Sequence, residues 1–110
     1  MMDRELLELA TKAIGVHWQD FTLTLFMGEE ELREWPYDWN PLLNDGDALR
    51  LAVKLWMSVD INDRRDLTDV IWTGCTESVI ELHADHGGDK YAATRRAIVR
   101  AAAEIGGAMS

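Results

Sequence analysis

The sequence predicts an α+β fold, a mostly antiparallel sheet of about four strands with three helices packed on it. Three observations carry this expectation. Apolar residues recur at helical spacing near both ends and in the middle, the period drops to two in between, and the strands follow one another without regular helical crossovers. The expected order is helix, strand, helix, three strands, helix. With 110 residues, 47% hydrophobic and 28% charged, and no Gly/Ser/Pro linker, repeat or low-complexity run, residues 1–110 are expected to form a single domain.

The first helix rests on Leu6, Leu9, Ala10 and Ala13, with Leu7 and Ile14 widening the stripe and Asp3 as N-cap. Gly15 stands where a left-handed terminal residue is needed. Over residues 16–27, Phe21, Leu23 and Leu25 alternate with Thr22 and Thr24, which predicts a strand. The stretch that follows, to Asn40, contains Trp35-Pro36-Tyr37-Asp38-Trp39 and is expected to be a loop, because its proline does not belong inside a sheet. Asn44 then caps a second helix over residues 44–57, with Asp47 reaching back toward the cap. Apolar side chains cover most of its circumference, so it is expected to be the central helix of the core. Val59 and Ile61, then Val70-Ile71-Trp72, then residues 79–83 predict three short strands, the first turn falling at Asp63-Arg64-Arg65-Asp66. Asp89 caps a third helix over residues 90–105, which Gly106-Gly107 is expected to stop.

Charge and composition exclude several classes. Acids outnumber bases by 20 to 11, for a formal charge of −9, so general nucleic-acid binding by counterion release is disfavoured. One cysteine, Cys75, forms no internal bridge, and neither a secretory leader nor a membrane-spanning apolar run is present. The cytoplasm is therefore the expected compartment, with no membrane association. The acids are concentrated: residues 28–47 hold seven acids and one base, and residues 58–89 hold eight acids and two bases, each a net −6. Such a surface attracts a basic partner, including one that binds nucleic acid, though it also serves solubility.

Candidate chemistry is sparse. None of the common nucleotide-binding, hydrolase, zincin or paired-cysteine motifs occurs. His83, Asp85 and His86 offer metal-ligand types at close spacing, but with no further ligand nearby they read as a strand-to-helix turn, and no metal or other cofactor is expected. Gly87 and Gly88 before a helix N-terminus, with Lys90, Arg95 and Arg96 following, form a candidate anion or nucleotide phosphate site, against which the Asp89 cap competes. Cys75 has no base beside it in sequence and reads as a packing residue.

Three runs carry a resemblance: DRELLELA at residues 3–10, WNPLLNDGDALRLAVKL at residues 39–55 and ATRRAIVRAAAEIG at residues 93–106. They resemble an uncharacterised family of small tailed-phage and prophage proteins and, more loosely, phage domains described as an α-β-α sandwich. The resemblance implies a phage or prophage origin and no transferable catalytic residues.

The expected function is therefore non-enzymatic: an accessory protein that binds a host bacterial protein of defence or regulation. Its contact surface is expected at Glu29, Glu30, Glu31, Glu34, Trp35, Tyr37 and Trp39. The alternative is a nucleotide or small-anion sequestering protein using Gly87, Gly88, Lys90, Arg95 and Arg96, with a homodimer left open.

Overall fold

A computed structural model describes residues 3–14 and 40–108. In chain order these form α1 (Asp3–Ala13), α2 (Asp45–Lys54), β1 (Ser58–Asn62), β2 (Leu67–Ile71), β3 (Val79–Leu82), a short 3₁₀ helix (His83–His86) and α3 (Lys90–Gly107). The fold is α+β, and the strands form an antiparallel meander in the order β1-β2-β3. The sheet of the described residues thus has three strands where about four were expected, and two helices precede it. The expected strand at 16–27 lies outside the described residues, as does the loop that follows it.

The caps predicted at Asn44 and Asp89 form, whereas Asp3, expected as the N-cap of α1, is its first helical residue. Asn44 Oδ1 accepts from the Asp47 amide at 2.9 Å, and Asp47 Oδ2 accepts from the Asn40 amide, also at 2.9 Å, tying the incoming chain to the first turn of α2. Asp89 Oδ1 accepts from the amides of Tyr91 and Ala92 at the start of α3.

Two expectations about the helices are corrected. The centre of the described core is α3, which touches every other described element. Its small residues Ala93, Ala97, Ala101 and Ala102 are fully buried and let neighbours approach on several sides. By contrast, α2 buries Ala48, Leu51 and Ala52 but leaves Leu49 and Val53 63% and 68% exposed, so its wide apolar surface is only partly used. Nor does Gly106-Gly107 stop α3, which runs through both residues. Gly106 is buried where α3 crosses α1, a place at which any side chain would strike the α1 backbone.

One face of the sheet packs on α3, through Thr68 and Val70 of β2 and Val79 and Glu81 of β3. Ile71, Ile80 and Leu82 point away from it and are partly exposed. The strand predicted at Val70-Ile71-Trp72 begins at Leu67 and ends at Ile71, and its inward positions include Thr68, whose hydroxyl is satisfied inside the core. No described helix is long and apolar enough to cross a membrane.

Candidate binding surface

A broad groove of about 560 Å³ lies between α2, α3 and β1. Ala48 and Ala52 from α2, Val59 from β1 and Ile98 from α3 give it an apolar interior, while Leu49, Ile61 and Tyr91 stand exposed along it. Its polar groups are few: Asp45 with Arg95, Asp63 with Lys90, and the Thr94 hydroxyl. An apolar concavity with a small number of placed polar groups is the ordinary form of a binding site.

Beyond the groove, the exposed apolar stripe of α2 continues through Leu49 and Val53 to Trp56, positions one helical turn apart. Trp56 itself lies just past the helix, in the left-handed region at φ 57°. Its amide donates to Val53 O at 3.2 Å and the Met57 amide donates to Ala52 O at 3.0 Å, the paired bonds of a Schellman ending. Glycine normally fills that position, because a side chain there costs about 1–2 kcal/mol. Here the position carries a tryptophan that is 84% exposed. The sequence offered a signal for this residue, the end of an apolar helical stripe, but reading α2 as central hid it.

Two buried polar assemblies lie beneath the groove and beside it. Thr68 Oγ1 shares hydrogen bonds with His83 Nε2 at 3.0 Å and with Thr94 Oγ1 at 2.8 Å, a chain linking β2, the 3₁₀ helix and α3 and ending at the groove wall. Separately, Glu81 is 8% exposed on the inward face of β3. Its Oε1 lies 2.7 Å from His86 Nε2, its Oε2 accepts from Arg100 Nη1 at 2.5 Å, and Arg96 Nε stands 4.0 Å away. Burial works to raise the Glu81 carboxyl, but the bonds from His86 and Arg100 and their charges outweigh it and hold the group below its ordinary value.

The residues singled out from sequence fall as follows. Glu29, Glu30, Glu31, Glu34, Trp35, Tyr37 and Trp39 lie outside the described residues. Gly87 and Gly88 form a tight turn with φ of 66° and 85°, and their amides donate to Ala84 O and His83 O. Of the expected anion-binding cations, Arg95 holds Asp45 at 2.6 Å and the Leu42 carbonyl at 2.9 Å, Arg96 holds Asp3 at 2.9 Å, and Lys90 lies 3.6 Å from Asp63. Arg95 and Lys90 thus line the groove, while Arg96 turns toward α1. His83 and His86 diverge, one to Thr68 and the other to Glu81, and no cluster of three or more metal-ligating side chains occurs among the described residues. Cys75 is half-buried beside Trp56 and Trp72 in a separate shallow depression.

Comparison of the chain with models of protein families, with curated proteins and with solved structures finds no match.

Proposed function

We propose that the protein works by binding another protein, as a non-catalytic accessory factor of the phage or prophage kind that the sequence resemblance implies, and that its contact surface is the outer face of α2. The observation that carries this reading is Trp56. The left-handed backbone at a large aromatic residue opposes folding, and the ring, exposed to water, returns little burial to offset it. Tryptophan is also the residue type that most often dominates the energy of a protein interface. Leu49 and Val53 extend the apolar area, and Asp45 and Lys54 at the two ends of α2 supply a charged rim. The chain's strong negative charge steers a basic partner toward it and makes the encounter salt-dependent.

A catalytic alternative finds less support. Among the described residues, the hydroxyl held against an imidazole is that of Thr68 beside His83, and it is fully buried and beyond reach of a substrate. The test is affinity capture from bacterial lysate with the wild-type chain and Val53→Asp, washed at high salt. The reading expects a discrete protein retained by the wild type and lost from the variant; equal retention by both would contradict it.

A further inference from the structure

We infer that the groove between α2, α3 and β1 is a second site, sharing Leu49 and Asp45 with the outer face of α2, for a small amphipathic carboxylate whose apolar body lies along the groove and whose head meets Thr94 and Lys90. The apolar interior and the volume of about 560 Å³ suit a short aliphatic or aryl chain. The head is specified by what the polar groups have left to offer.

Lys90 and Thr94 stand one turn apart on the same face of α3, and both line the groove. Arg95, the other cation lining the groove, is committed at short range to Asp45 and to the Leu42 carbonyl. Among the described residues Lys90 pairs with Asp63 at 3.6 Å, with Lys90 about half exposed and Asp63 largely so, and such a pair exchanges for a better one at little cost.

Thr94 is the outer end of the buried chain through Thr68 to His83. Each hydroxyl has one proton, so the chain has two polarities. When His83 Nε2 donates to Thr68, Thr68 donates to Thr94, and the Thr94 proton is free to point into the groove. When Thr68 donates to His83, Thr94 donates to Thr68 and presents only an acceptor. A carboxylate selects the first arrangement, which supplies a donor beside the Lys90 charge. An amine beside Lys90 meets like charge, and to pair with Asp63 or Asp45 of the same lining it must displace Lys90 or Arg95 from that carboxylate. His83 is thus a positioning residue for the Thr94 proton, and its ring state is a readout of the site.

The test is a titration of the full 15N-labelled chain with octanoate, 1-octanol and octylamine, which share one apolar body and differ in the head. Octanoate is expected to give saturable shifts at Lys90, Thr94, Val59 and Ile98 and to bring His83 to the form protonated on Nε2 in long-range 15N spectra. Octanol is expected to bind about tenfold more weakly, the loss of one charge-assisted bond, and octylamine not to saturate. Lys90→Gln should weaken octanoate by a similar factor and leave octanol unchanged. Thr94→Val should do the same, with Thr94→Ser restoring binding; if Thr94→Val fails to fold, Lys90→Gln carries the test. Equal affinity for the three heads, insensitivity to Lys90→Gln, or shifts centred outside the groove would each overturn the site. Trp56 does not line this groove, so Trp56→Gly should leave octanoate binding intact whether or not α2 proves to be a protein interface.

Discussion

A Cβ placed on Gly106 would lie 1.9 Å from the carbonyl oxygen of Leu9, and its next neighbours are also backbone atoms of α1, Leu9 C at 2.9 Å and Ala13 N at 3.2 Å. Helix α3 therefore crosses α1 at backbone contact, and no side-chain rotamer relieves a substitution there. Gly106→Ala should cost about 3 kcal/mol or more, because the two helices must part. Gly107 is the matched control: a methyl there meets nothing, so Gly107→Ala should raise stability by about 0.5 kcal/mol through the unfolded chain. Urea unfolding midpoints for the two variants, displaced in opposite directions, check this.

Glu81 joins β3 to Arg100 of α3 and to His86 of the 3₁₀ helix. Arg100 is partly in water, which screens its share, so Glu81→Gln should cost about 1–2 kcal/mol near neutral pH. The carboxyl is depressed in the folded state, so its contribution is present above the ordinary value of 4.5 and is lost as pH falls through the lower, folded value. Thermal unfolding of wild type and Glu81→Gln should differ above pH 4.5 and converge as pH falls below it. A gap that persists undiminished in acid well below 4.5 would contradict the assignment.

Thr68→Val keeps shape but removes the hydroxyl that links His83 to Thr94. His83 Nε2 is then left without its partner in a site where the residue is buried, at a cost of about 1–3 kcal/mol. Chemical denaturation measures the loss, and the β-branched replacement guards against an effect of strand propensity.

These buried polar groups also mark what sequence reasoning could reach. Asn44 and Asp89 were legible as caps because a short polar side chain before an apolar periodic run satisfies amides of the next turn, a local requirement. The turn at Asp63 to Asp66 and the alternation of β1 and β3 were legible for the same reason. Thr68 and Glu81 were not, since their inward placement depends on His83, Thr94 and Arg100, which folding brings to them from 15 to 26 residues away. Gly106 was read as a stop signal because a glycine that ends a helix and one that admits a neighbouring backbone look alike until the neighbour is known. The rank of the helices failed similarly: α2 has the fuller apolar circumference, yet small side chains, rather than large ones, put α3 at the centre. Of the candidate surfaces, the groove was only half visible, through Lys90 and Arg95, whose carboxylate partners Asp63 and Asp45 come from distant positions.

Replacing Trp56 by glycine tests the central claim most directly, because folding and binding should respond in opposite senses. Glycine relieves the left-handed backbone and removes an exposed ring, so the account predicts a Trp56→Gly chain at least as stable as wild type, by up to about 1 kcal/mol, that no longer retains the protein partner captured by wild type from the same lysate. A variant that is clearly less stable, or that holds the partner as tightly as before, would contradict it.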